Sequence, residues 1–139
     1  MRFAALLRQL DRVQQPATAR AHCDLPCGVY DPAQARIEGE SVHGIQKKYQ
    51  DASDEEFKQR AIQIKEQRAE LVKYHLWVLW TDYFKPHHLE AYPHLHEKFW
   101  QATKSAGEAK KSTDPSQGQK LLDQIDEIAN IFWETKKAG

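Results

Sequence analysis

Residues 53–83 read SDEEFKQRAIQIKEQRAELVKYHLWVLWTDY. Positions spaced alternately four and three residues apart form one row along this run, which is typical of the inward face of a packed α-helix. Ser53 and Glu56 have the spacing of a capping box, so the helix is predicted to begin there and to run to about Tyr83. The inward row consists of Phe57, Ala61, Ile64, Arg68, Leu71, His75 and Val78.

Another helix is predicted before this one, over residues 32–51. Asp31 can cap its first turn, and Pro32 suits the first helical position, where no backbone N–H is needed. Glu38 here, like Arg68 in the following helix, is a charged residue on an otherwise apolar row. That row consists of Glu38, Val42, Ile45 and Tyr49.

A third helix is predicted downstream, from Pro93 to about Lys111, after a loop bracketed by Pro86 and Pro93. The sequence also predicts where the large side chains of this region lie. The helix should bury Phe99, Trp100, Thr103 and Ala106. The tryptophans of the chain should lie in the core or at an interface, namely Trp77, Trp80, Trp100 and Trp133.

Asp114 followed by Pro115 repeats the cap-and-proline signal, which predicts a fourth helix over residues 115–137. We find no strand alternation and no glycine-rich phosphate loop in the sequence. The fold class expected is therefore all-α, an up-down four-helix bundle over residues 32–137. The face of the fourth helix consists of Leu121, Leu122, Ile125, Ile128, Ala129, Phe132 and Trp133.

The composition limits the classes of partner. The 139 residues suffice for one domain with a core of its own. Lys and Arg number 20, as do Asp and Glu, so the formal charge is zero. We expect neither nucleic acid nor an anionic membrane as the main partner, because both favour a basic face. No apolar run approaches the roughly 20 residues that span a bilayer.

The first 21 residues differ from the rest. Apolar residues recur at helical spacing among four arginines and one aspartate, which gives this leader (residues 1–21) a charge of +3. The run from Ala19 to Ala21 has the small-x-small pattern of a cleavage site. Its apolar stretch, Phe3 to Leu7, is too short for a secretory signal, so we expect a cytoplasmic location. An ordinary N-terminal helix with a linker is the alternative interpretation.

Both cysteines lie in residues 22–31, HCDLPCGVYD, which we call the hook. His22, Cys23 and Cys27 can offer an imidazole and two thiolates to one metal ion. If the chain began at His22, the free α-amine and the Cys23 amide nitrogen would complete a square of two nitrogens and two sulfurs. Such a planar field favours nickel(II) or copper(II) over zinc. A local disulfide, a pair of free thiols and half of a zinc site remain alternatives.

The hook, along its whole length, resembles the nickel hook of the nickel-containing superoxide dismutases. The resemblance continues at Pro32, Glu38, Arg68 and residues 80–86, and it covers residues 22–139. The leader is similar in role to the propeptide of that family. The resemblance therefore implies two parts, a cleavable leader at 1–21 and a dismutase domain at 22–139.

The resemblance also implies the chemistry. One nickel ion per subunit would be held by the His22 amine and imidazole, the Cys23 amide nitrogen and thiolate, and the Cys27 thiolate. Cycling between Ni(III) and Ni(II) would convert superoxide to oxygen and hydrogen peroxide after a maturation protease cuts before His22. A homohexamer is implied, and the family suggests a cis bond at Leu25–Pro26.

Four further residues are expected to serve the hook. A chain from the His22 imidazole through Glu38 to Arg68 would orient the metal ligand, since pairing offsets the cost of two buried charges. Tyr30 would gate the open face or bind the small anion there, and Asp24 would anchor the turn. Alternatively, Glu38 and Arg68 reach solvent from the edges of their rows, and Tyr30 is a core or interface aromatic.

The competing functional hypothesis is a helical metal carrier or a thiol redox sensor. It would use Cys23 and Cys27 as a redox pair, and it needs no free amine at His22. The hook would then work with the leader still attached, whereas the dismutase hypothesis requires cleavage.

Overall fold

The computed structural model describes residues 27–138, which contain five α-helices and a π-helical turn and no strand. The predicted fold class is confirmed, and the limits of the long helices lie within two residues of those predicted from the sequence, except at the end of α2, which was predicted at about Tyr83. The helices are α1 (Ala33–Asp51), α2 (Glu55–Val78), α3 (Pro86–Ala91), α4 (Leu95–Lys111) and α5 (Pro115–Ala138), and the π-helical turn is Leu79–Tyr83.

The four long helices form a ring in which α1 and α4 each pack against both α2 and α5. Neighbouring helices run antiparallel, as their polar contacts indicate. Near its start, α1 bonds to the middle of α5 through Arg36 Nε and Asp126 Oδ1, 2.8 Å apart. At the other end of α1, Gln50 Nε2 donates to the carbonyl of Thr113, just before α5, at 2.7 Å. The four long helices thus follow one another in up-down order.

One continuous core fills the ring. Its side chains come from all four long helices and from the π-helical turn, as the spacing of apolar residues in the sequence predicts. Phe84, which follows the turn, closes one end of it. The largest fully buried apolar side chains are Phe132, Leu76, Leu95, Leu121, Ile125, Ile128, Val42 and Val72.

The inward row predicted for α2 is wrong by one position over most of its length. Phe57 and Ile64 are each 40% exposed, whereas Lys65, directly after Ile64, is buried. The predicted row lies instead at the edge of the helix, on the side of α1. The buried row consists of Ala61, Lys65, Ala69, Val72 and Leu76.

Lys65 belongs to that buried row because the carbonyls at the end of α4 need hydrogen-bond donors. The ammonium of Lys65 donates to the carbonyl of Ala109 at 3.3 Å and to that of Lys110, both in the last turn of α4. These carbonyls have no partner inside their own helix. Gln46 Nε2 donates to the same Ala109 carbonyl at 3.3 Å. Burial lowers the pKa of Lys65, since desolvation disfavours the charged form.

Of three helix starts predicted from capping signals, one differs from the structure and two agree with it. The Ser53–Glu56 capping box is wrong, because Asp54 is the cap and its carboxylate accepts from the Glu56 backbone N–H at 3.1 Å. At α1, Asp31 does accept from the Ala33 N–H at 2.8 Å. Before α5, Asp114 Oδ1 accepts from the Ser116 N–H at 2.9 Å, as the cap-and-proline signal predicts.

The loop predicted between Pro86 and Pro93 is wrong, because its first six residues form α3. Pro86 occupies the first turn, where a missing N–H costs nothing. The Lys85 N–H donates to His88 Nδ1 at 3.0 Å, which completes a local cap. The helix ends at Ala91, ahead of Pro93, and α4 then begins at Leu95.

Three of the four tryptophans are not in the core of this chain. Trp100, predicted to be buried, is 57% exposed, and Trp77 and Trp133 are about half exposed. Trp80 packs against the core and against the ring of Phe99, with ring centroids 5.0 Å apart. Within residues 27–138, no helix is both long and apolar enough to cross a membrane.

Replacing Gly118 with alanine should destabilise the bundle. A Cβ there would lie 2.8 Å from His43 Cα and would also meet the Gln46 side-chain oxygen, so α1 and α5 would have to separate. We expect the free energy of unfolding to fall by about 1–3 kcal/mol, the typical cost of overpacking. Urea denaturation of the variant and the parent measures the difference.

Gly44→Ala is the matched control, because a Cβ at Gly44 meets nothing within 4 Å. There the better helix propensity of alanine should raise stability by about 0.5–1 kcal/mol. A Gly118 variant that is as stable as the Gly44 variant would contradict the close approach of α1 and α5.

Candidate metal centre

Most of the hook lies outside the described residues. The expectations for His22, Cys23, Asp24 and the Leu25–Pro26 bond fall there. Cys27 is the first residue described. Its thiol is free and exposed, and its sulfur accepts from the Val29 N–H at 3.4 Å.

Gly28 turns the chain directly after Cys27. Its φ is +70°, in the left-handed region that residues with a Cβ rarely adopt. Its carbonyl accepts from the Lys136 ammonium, near the end of α5, at 3.3 Å. The base of the hook is thereby joined to the last turn of the last helix.

Tyr30 packs at the edge of the core. Its ring lies against that of Tyr83, with centroids 5.7 Å apart and planes at 55°. Tyr30 is half-buried, so it meets the core-aromatic alternative and keeps part of its surface in solvent. A gating role remains a prediction.

Tyr83 is held on several sides. It ends the π-helical turn, whose wider hydrogen bonding joins the Phe84 N–H to the Leu79 carbonyl at 3.1 Å. Thr135 donates to the Phe132 carbonyl at 2.7 Å, which uses its one proton. The Tyr83 hydroxyl, 2.7 Å from Thr135 Oγ1, is therefore the donor in that pair.

Glu38 and Arg68 form an ion pair between α1 and α2. Arg68 Nη1 lies 3.3 Å and 3.2 Å from the two carboxylate oxygens. The Glu38 side chain is only 14% exposed and that of Arg68 is 39% exposed. The carboxylate thus does not reach freely into solvent, and the two unusual charges of the inward rows meet each other.

His75 lies near this pair and has no role in the sequence-based hypothesis. Burial lowers the pKa of His75, and the nearby Glu38 carboxylate opposes part of that shift. In the sequence, the one signal for His75 was its position on the predicted row of α2, seven residues after Arg68.

The described residues fit the proposed metal site without completing it. Among residues 27–138, no group of three or more His, Cys, Asp or Glu side chains could hold a metal ion. Cys27 contributes one soft sulfur donor at an exposed position, which suits nickel or copper. A full ligand set needs donors from the residues before Cys27.

Two residues around the hook base could not be assigned a role from the sequence. Thr135 and Lys136 lie 105 or more positions after Tyr30, and nothing in their spacing indicates contact with the hook. Tyr83 belongs to residues 80–86, which carried part of the family resemblance, but the π-helical turn that places it has no sequence signature of its own.

Comparison with known proteins gives a consistent assignment. The family model described as nickel-containing superoxide dismutase matches residues 17–136. The superoxide dismutase [Ni] of Streptomyces seoulensis is 64% identical over 118 residues, covering 85% of this chain and 90% of that protein. The superoxide dismutase [Ni] of Streptomyces coelicolor is 58% identical over 130 residues, covering 93% and 99%.

Solved structures agree. A crystal structure of Ni-containing superoxide dismutase, in a state after partial X-ray-induced reduction, has a TM-score of 0.82 at 64% identity and covers 84% of this chain and 99% of its own. A native nickel superoxide dismutase structure at 1.30 Å has a TM-score of 0.81 at 60% identity, with the same coverage. The chain therefore belongs to the family of nickel-containing superoxide dismutases.

Proposed function

We propose that this chain, cut before His22, disproportionates superoxide to oxygen and hydrogen peroxide with one nickel ion per subunit. Two superoxide ions and two protons give one molecule of each product. The match of the family model to residues 17–136 carries the proposal, because that range contains every residue of the candidate ligand set.

The ligands would be the His22 α-amine and imidazole, the Cys23 amide nitrogen and thiolate, and the Cys27 thiolate. Nickel, when bound, supplies a one-electron couple between Ni(III) and Ni(II), and thiolate donors lower its potential. The exposed position of Cys27 supports the assignment, since a small anion must reach the centre.

The surrounding side chains would orient the hook and shape its open face. Glu38 would accept from the His22 imidazole while Arg68 fixes the carboxylate, an arrangement supported by the ion pair between α1 and α2. Asp24 would bind backbone N–H groups of the hook turn. Tyr30, braced by Tyr83, would stand at the face through which superoxide enters.

Maturation and assembly belong to the same proposal. A protease would remove the leader, because an amide at His22 cannot serve as an amine ligand. A homohexamer is supported by the half-exposed tryptophans, since exposed aromatic surface of this kind marks interfaces. We place the protein in the cytoplasm on the strength of the short apolar stretch in the leader.

The carrier or thiol-sensor hypothesis remains the alternative. It is favoured by one observation, the free and exposed thiol of Cys27, which a redox pair would also need. The two functions differ in their dependence on the free amine of His22.

A chain that starts at His22 should be active after nickel loading, and the chain that starts at Met1 should not. The reason is that only the shorter chain has the α-amine for the square of ligands. Superoxide dismutation is measured together with bound nickel, and about one nickel per chain is expected in the active form.

Equal activity of the two chains would separate cleavage from chemistry and favour the carrier or sensor. Nickel bound to both chains without dismutation would do the same.

Glu38→Gln in the chain that starts at His22 should lower the dismutation rate per bound nickel by about 10- to 100-fold, the usual effect of losing a partner of a metal ligand. Stability should fall by only about 1 kcal/mol or less, because the paired Arg68 is partly exposed. Steady-state rates, nickel content and urea denaturation are compared.

Glu40→Gln is the matched control, since Glu40 lies on the same helix and pairs with Arg36 at an exposed position. Its rate should stay within about twofold of the parent. Equal losses of dismutation rate in both variants would show a general charge effect and would contradict the role assigned to Glu38.

A further inference from the structure

The described part of the hook contacts a residue from the far end of the chain. Lys136 and Gly28 are 108 positions apart, yet the lysine ammonium donates to the glycine carbonyl at 3.3 Å. Gly28 directly follows the thiol-bearing Cys27. A donor at this carbonyl therefore acts one residue away from a candidate metal ligand.

The lysine side chain is held in place by aromatic rings. Its ammonium lies 5.1 Å from the centroid of Tyr83 and 5.7 Å from that of Phe132. Cations within about 6 Å of a ring centroid are attracted by the negative face of the ring. Phe132 is fully buried, so the core fixes the position of one of the two rings near the ammonium.

One of these rings, that of Tyr83, also supports Tyr30. The Tyr83 ring contacts both Phe132, at 4.3 Å between centroids, and Tyr30, at 5.7 Å. The Tyr83 hydroxyl donates to Thr135, the neighbour of Lys136. The last turn of α5 thus touches residues 28–30 directly through Lys136 and indirectly through Tyr83.

The conformation of Gly28 increases the effect of the Lys136 hydrogen bond on the order of residues 28–30. Its positive φ turns the backbone between Cys27 and Tyr30, and the segment has no helix or strand to order it. A segment of this kind pays conformational entropy for each ordered residue, so a single charged hydrogen bond changes its order noticeably.

We propose that Lys136 is a positioning residue. It fixes residues 28–30, the base of the hook, and with them the position of Cys27. This inference rests on the proposed function for its catalytic meaning. Its structural content concerns the order of residues 28–30, which can be measured in the metal-free chain.

The test is backbone NMR relaxation of the metal-free full chain. Lys136→Met keeps most of the side-chain volume and removes the ammonium. Order parameters at Gly28, Val29 and Tyr30 should fall from near 0.85, typical of rigid backbone, to below about 0.6. Those of Val72 and Leu76, in the core of α2, should not change, which excludes general destabilisation.

Lys137→Met is the matched control, because it removes the same charge one residue further along the same helix end. It should leave residues 28–30 as ordered as in the parent. The inference is overturned if Lys136→Met keeps their order, if Lys137→Met reduces it equally, or if the parent values are already below about 0.6.

A second measurement connects the position to the metal. In nickel-loaded chains that start at His22, Lys136→Met should release nickel to a chelator about three- to tenfold faster, the range expected for the loss of one typical intramolecular hydrogen bond. Unchanged release would overturn the link to the metal. Absence of dismutation by the nickel-loaded parent would instead count against the proposed function and would leave the relaxation result readable.

Discussion

One backbone carbonyl, that of Ala109, joins three helices of the bundle. It accepts from Gln46 of α1 and from Lys65 of α2, while it belongs to the last turn of α4. Both donors are buried, so buried side chains supply the hydrogen bonds that this helix end lacks. Gln46 also donates to Ser112, in the connection to α5, at 3.1 Å. The relative positions of all four long helices at this end follow from that small network.

The opposite end of the bundle is built differently. Here α1 begins, and α2 and α5 end, around the π-helical turn and the hook base. The ion pair of Glu38 and Arg68 lies between helices whose register the far network sets. Glu38 and Arg68 are therefore positioned by helices, while Cys27 lies in a segment without helix or strand. Such a division suits a metal centre, whose ligands are ordered by the metal itself.

The sequence was sufficient for the bundle, since helix periodicity and proline signals are local. It failed where a distant partner decided the outcome. Lys65 is buried because carbonyls 44 and 45 positions away need donors. Nothing local distinguishes it from the exposed lysines. Glu38 and Arg68 stood out as charges on apolar rows, whereas Lys136 reaches its partner from an ordinary exposed face.

Two glycines limit variation in this chain for opposite reasons. At Gly118 the limit is side-chain volume, because α1 occupies the space that a Cβ would need. At Gly28 the space is open, and only the sign of φ is restrictive. The restriction there is one of chirality, since a D-residue adopts this conformation without the strain that an L-residue meets. The base of the hook is thus a point where the handedness of the amino acid, and not its size, limits which residues are compatible.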